Sequence, residues 1–169
     1  MRHSSHRGNS LGIACAHRSV RPSCRVGCRD GSRVSARLEL VKLAPAVAQY
    51  PDAGSLQAVI IEYFQGINNR DYSEYAATQS AGMALTFQQF ETGFRSTEDS
   101  SVLVTSIATA PDGRPEADVT FTSRQQPQDG PNGESCTNWQ VTMFFDENAG
   151  TYTIGAPPAD YRASYQPCS

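Results

Sequence analysis

From Ala46 to Ser169 the chain contains no histidine and no lysine. That stretch therefore lacks the usual general bases and the imidazole ligands of most transition-metal sites. Its carboxylates are scattered singly, and no glycine-rich phosphate loop follows a strand pattern. Glu91 and Asp118 are proton-transfer candidates only by default, and Asp129 and Glu134 flank a Gly-Pro-Asn-Gly sequence that reads as a solvated turn. No metal and no cofactor is expected.

The two cysteines of this stretch are more informative. Cys136 opens the strand that carries Trp139, and Cys168 is the penultimate residue, beyond Pro157-Pro158 and a tail with little apolar content. The pair reads as a disulfide that pins the tail across the sheet, with Tyr161 and Tyr165 free to pack on it; an unlinked pair is the alternative. Closing such a loop contributes about 3–4 kcal/mol in the chain-entropy treatment. A bonded pair places the domain outside the reducing cytoplasm.

The first part of the chain has a different composition. Through Lys42 there are nine basic residues against Asp30 and Glu39, about +7, whereas five arginines face fifteen carboxylates in the remainder, about −10. Residues 1–45 show no apolar periodicity and read as a disordered basic segment. They hold His3, His6 and His17 with Cys15, Cys24 and Cys28, but the Cys-x-x-x-Cys spacing is off the usual zinc knuckle and no second pair exists. Without interleaved aromatics or a lysine cluster, no nucleic-acid partner is expected. Thirteen arginines to one lysine, without pattern, fits a start codon placed too far upstream in a GC-rich gene.

A secretory signal is weak. Arg25 to Arg37 has the charge of an n-region and Ala46-Val47-Ala48 resembles a cleavage site, but Glu39 and Lys42 interrupt the short stretch between. No run approaches the roughly 20 apolar residues of a membrane span.

Residues 46–169 suit one domain. Leu56, Val59, Ile60, Tyr63, Phe64 and Ile67 recur at the spacing of one buried helical face, with Ser55 at the N-cap and 68–71 ending the pattern. A second short helix is expected over 72–79. A third is expected over 86–94, with Thr86 and Gln89 at capping-box spacing and Phe87, Phe90 and Phe94 as core plugs. From Ser101 the period becomes two: Val102, Val104 and Ile107, then Val119 and Phe121, then Trp139, Val141, Met143 and Phe145, then Tyr152 and Ile154. Helices followed by a four-stranded antiparallel meander imply an α+β roll, with the sheet curled around the opening helix.

The stretch EYFQGINNRDYSEYAA and the order of elements resemble nuclear transport factor 2-like domains. That resemblance implies a cone-shaped roll shared with cystatin-like and ketosteroid isomerase-like proteins, with N-terminal helices packed on a curved antiparallel sheet. In the isomerase branch a first-helix tyrosine donates to an oxyanion, and Tyr63, eight residues before Asp71, stands at its place. The branch's aspartate base has no counterpart, because residues 80–86 contain no carboxylate. A structural tyrosine bonded to a backbone carbonyl accounts for Tyr63 equally well. Placement of the cysteines resembles that of bacterial extracytoplasmic members, which implies ligand binding or protein interaction, including a homodimer through the sheet. Tyr63, Phe90 and Trp139 are then the pocket candidates. The alternative function is a small-molecule isomerase, cyclase or dehydratase using Tyr63. A cone that holds a desolvated carboxylate beside Tyr63 would favour the enzyme, and a filled cone the interaction module.

Overall fold

The computed structural model describes residues 40–169, and the expectations for the earlier cysteines and histidines lie outside that range. The chain order is β1 (Val41–Leu43), a 3-10 turn (Val47–Gln49), α1 (Ala53–Asn69), α2 (Tyr72–Ala77), α3 (Phe87–Phe94), β2 (Glu98–Thr109), β3 (Pro115–Arg124), β4 (Cys136–Asn148), β5 (Thr151–Ile154) and β6 (Ser164–Pro167). The fold is α+β, with three helices packed on a curved, open, mostly antiparallel six-stranded sheet of cone-like shape.

Each helix boundary has a local cause. The Tyr50-Pro51-Asp52 turn starts α1, with the Leu56 N–H donating to the Asp52 carbonyl, three residues before the expected start. Ser55 lies inside the helix and is exposed, so burial of Ala53 sets the start and no side-chain cap contributes. Arg70 closes the helix in a left-handed conformation, its backbone N–H donating to the Gly66 and Ile67 carbonyls. Gly66 lets α2 approach closely, since a Cβ there would stand 2.5 Å from the Tyr75 nitrogen. Asp71 caps α2. That helix stops at Ala77 because 78–80 is drawn to the sheet, where the Ile154 N–H donates to the Thr78 carbonyl and the Ser80 N–H to the Ile154 carbonyl. The expected Thr86–Gln89 capping box opens α3.

The expected meander is present as β2-β3-β4-β5, and two further strands extend it. β1 pairs in parallel with β2, Val41 opposite Val102, and Val41 is fully buried in the core with Leu56, Ile60, Phe64 and Val119. The folded region thus begins before the boundary drawn near Pro45. A three-residue strand is too short to show a period, and its partner is sixty residues away. β6 pairs with β4 at Thr137–Gln140, and the Cys136–Cys168 disulfide, Cα atoms 5.4 Å apart, fastens its end. Tyr165 then lies 4.9 Å from Trp139 and Tyr161 meets Phe144 edge-on at 5.7 Å, centroid to centroid.

A chain starting at Arg37 is expected to unfold within about 1 kcal/mol of the full chain, and one starting at Ala46 at least about 2 kcal/mol below it, because the second lacks β1. Side-by-side denaturant titrations check both. Cys168→Ser should lower stability by about 3 kcal/mol for a loop of this length and release the amides of Ser164, Tyr165 and Gln166 to hydrogen exchange.

Candidate functional site

Two inward-facing residues on neighbouring strands set the width of the cone. Phe121 of β3 and Trp139 of β4 are directly paired and stack at 6.2 Å, and Phe121 meets Phe64 of α1 at 4.9 Å. Beyond Phe121 the gap between α1 and the sheet is not filled. A cavity of about 240 Å³ opens there, walled by Phe64, Ile67, Phe94, Phe121, Trp139 and Val141, with Tyr63 and Asp99 among the groups that line it. On its other side Tyr63 borders a second cavity of about 210 Å³, which Pro157 and Tyr161 of the tail help to enclose.

Asp99 is the residue that the alternation pattern conceals. β2 begins at Glu98, three residues before the first expected strand residue, and pairs Asp99 with Ser123 and Ser100 with Thr122. The register then slips by one, so that Leu103 faces Thr120, and Ser101 in the bulge takes a left-handed φ of 55°. Strict alternation from Val102 and Val104 would send Asp99 to the outer face; the extra residue sends it inward. A second slip between Val104 and Ser106 returns Ile107 to the core side. The spacing of Val104 and Ile107 is the trace of that second slip in the sequence, but nothing marks the first.

Asp99 is 4% exposed. Its backbone is held on both sides by Asn68 of α1, whose Nδ2 donates to the Asp99 carbonyl (2.9 Å) and whose Oδ1 accepts from its N–H (2.7 Å). The Ser123 hydroxyl donates to Oδ1. Burial pushes the carboxyl up to about 6, against the opposing pulls of the Ser123 hydroxyl and the positive charge of Arg70. Tyr63 is half-buried and its hydroxyl has no hydrogen-bond partner among the described residues. Burial raises its pKa, and the proximity of Tyr75 and Asp99 adds to this.

Asp129 also lines this cavity, but its charge is committed. Arg95 donates to both its oxygens through Nε (2.9 and 3.0 Å), and Ser96 Oγ donates at 2.6 Å, which ties the end of α3 to the β3–β4 connection. The solvated turn expected there is a roof over the cavity. Of the pocket candidates, Tyr63 and Trp139 line the same cavity. Phe90 does not: it is buried among Tyr72, Tyr75 and Phe94 in a separate cluster beneath α2 and α3. Residues 80–86 supply no acid to the cone; Ser80 there binds Asp146 (2.6 Å) and Thr153 (2.8 Å) at the far end of the sheet. Asp118 lies on the outer face, accepting from Ser106 and Thr142 at 2.7 Å each. The carbonyl-bound tyrosine is Tyr72, whose hydroxyl donates to the Leu85 carbonyl at 2.9 Å. Among the described residues no group of histidine, cysteine or carboxylate side chains is arranged to hold a metal.

Fold and site together define an α+β roll with a small, mostly apolar cavity, in which a buried carboxyl faces the same space as an unengaged phenol. No protein-family model and no curated protein sequence matches the chain.

The sign of the pH effect follows from the raised pKa. Between 3.8 and about 6 the folded state holds a proton on Asp99 that the unfolded chain does not, so this group's contribution is fully present below about pH 4 and is lost as pH rises through about 6. The loss amounts to about 3 kcal/mol. Asp99→Asn, which can keep the Ser123 hydrogen bond, should match the wild type near pH 4 and exceed it at pH 7 by up to about 3 kcal/mol. Thermal melts of the two proteins at both pH values measure the difference.

Proposed function

We propose that the protein is an extracytoplasmic module of the nuclear transport factor 2-like type whose cone binds a small molecule. The observation that carries this reading is the cavity beside Phe121. Apolar walls with a few convergent polar groups are the usual make-up of a ligand site, and about 240 Å³ lies below the roughly 300–1,000 Å³ of drug-sized sites, so the ligand is small. An open cone argues against a domain serving stability alone. The Cys136–Cys168 disulfide supports a location outside the reducing cytoplasm, and no described helix is long and apolar enough to cross a membrane. Thr120, Thr122, Asn138 and Gln140 give the outer face of the sheet an uncharged polar surface, suited to a protein partner or a second copy.

One observation favours a second reading, an isomerase, cyclase or dehydratase of the ketosteroid isomerase-like type. Asp99 is a desolvated carboxyl beside Tyr63, and a carboxylate with a pKa of about 6 is a competent base at neutral pH. In such chemistry Asp99 would take a proton from carbon next to a carbonyl, Tyr63 would donate to the developing enolate oxygen, and Asp99 would return the proton at another carbon.

The chain's one tryptophan, Trp139, reports on the cavity directly. Small neutral apolar alcohols should shift its fluorescence saturably, and Tyr63→Phe should weaken that binding by less than about tenfold, the value of one modest hydrogen bond. Assays with β,γ-unsaturated ketones are expected to show no acceleration. An isomerisation rate that falls tenfold or more in Tyr63→Phe would transfer the conclusion to the second reading.

A further inference from the structure

Five aromatic side chains, Tyr63, Phe64, Phe94, Phe121 and Trp139, line the cavity that holds the Asp99 carboxyl. Ser123 serves one carboxyl oxygen, and the other has no donor among the described residues. Arg70, whose charge acts on Asp99, makes no hydrogen bond to it: its guanidinium is held by the carbonyls of Ile67 (2.7 Å), Asn68 (3.2 Å) and Arg95 (3.2 Å) beside the end of α1. The other carboxylate of the cavity, Asp129, is already neutralised by Arg95.

We propose that the cavity selects a small organic cation, a tertiary or quaternary ammonium group, with Asp99 as its counter-charge and the aromatic rings as its walls. The proposal rests on the cavity being the ligand site and adds the class of ligand. A cation placed against ring faces is attracted by their quadrupoles, most strongly where water is excluded. A buried carboxylate gains far more from an incoming positive charge than an exposed one does, because little solvent screens the pair. A primary ammonium would need three acceptors, and the cavity offers few; a tertiary ammonium needs one, which Asp99 supplies, and a quaternary one needs none. The excess of carboxylates after residue 42, about −10, draws cations toward the domain from a distance.

The charge state of the site fixes the pH dependence. The groups facing Asp99 are Tyr63, Asn68 and Arg70 from α1, Ser123 from β3, and Asp129 with its partner Arg95 from the roof. Burial drives Tyr63 up and Arg95 holds Asp129 down, so Asp99 is the carboxyl here that changes charge around pH 6. A cation should bind about tenfold more weakly at pH 5 than at pH 7, whereas a neutral ligand that accepts a hydrogen bond from the protonated Asp99 carboxyl should show the opposite trend.

The test titrates the full oxidised chain with choline and with its uncharged isostere 3,3-dimethylbutan-1-ol, following Trp139 fluorescence and heat at pH 5 and pH 7. Choline is expected to bind at least tenfold more tightly than the alcohol at pH 7, and to lose that advantage at pH 5 and in Asp99→Asn. Equal affinities at pH 7, a preference for the alcohol, or tighter choline binding at pH 5 would overturn the proposal while leaving the cavity as a ligand site. No response to either compound would overturn the cation proposal and the binding reading together. Should Asp99→Asn not fold, the choline-to-alcohol ratio of the wild type at the two pH values decides alone.

Discussion

A β-strand can turn only every second residue toward the core, and the arrangement of the cone depends on where β2 departs from that rule. The slip after Ser100 inserts one residue and rotates everything before it by half a turn of the pleat. Val102 and Val104 then face α1 in the company of Leu56 and Phe64, while Asp99 on the other side of the bulge also faces inward. Without the slip the strand would bury Ser100 and present Asp99 to solvent. The left-handed φ at Ser101 is unfavourable for a residue other than glycine, and the pairing of β2 with both β1 and β3 holds it in place.

Burying a carboxyl near Phe121 works against the stability that the rest of the core provides. The structure limits that cost in two ways. Asn68 engages both backbone polar groups of Asp99, so the peptide itself is satisfied, and Ser123 supplies one donor to the side chain. Neither removes the desolvation of the charge, which is why the carboxyl retains its proton to an unusually high pH. A core residue in this position would do better as leucine or methionine. An acid placed where it lowers stability is the pattern of a group that serves a functional site rather than the packing.

Much of this architecture was legible in the residues. The apolar face from Leu56 to Ile67, the Thr86–Gln89 capping box, the four strands of the meander and the Cys136–Cys168 pair each leave a local or compositional mark. What was not legible depends on partners distant in sequence. β1 is three residues long and is made a strand by Val102. The start of α1 follows from burial of Ala53, which no spacing reveals, whereas Ser55 looked like a cap and is not one. Phe90 has the appearance of a pocket aromatic, yet α2 folds over it. Asp99 was hidden because Glu98 to Ser101 is a polar stretch that reads as a linker, and a bulge leaves no periodic signal of its own. Tyr63 and Trp139 were legible as pocket residues because helix and strand periodicity both point them inward.

The C-terminal tail has a consequence beyond the cone. β4 is the longest strand, and along the side not used by β3 it is covered in three pieces: β6 over Thr137 to Gln140, the Tyr161 hydroxyl accepting the Thr142 N–H at 2.6 Å, and β5 over Phe145 to Asn148. A long strand edge left without a partner is a template on which other chains can add. The disulfide therefore acts as a guard against intermolecular sheet growth as well as a brace, and breaking it would convert a protected interior strand into an adhesive margin. In a compartment where the bond persists, the protein keeps that margin sealed with its own β6.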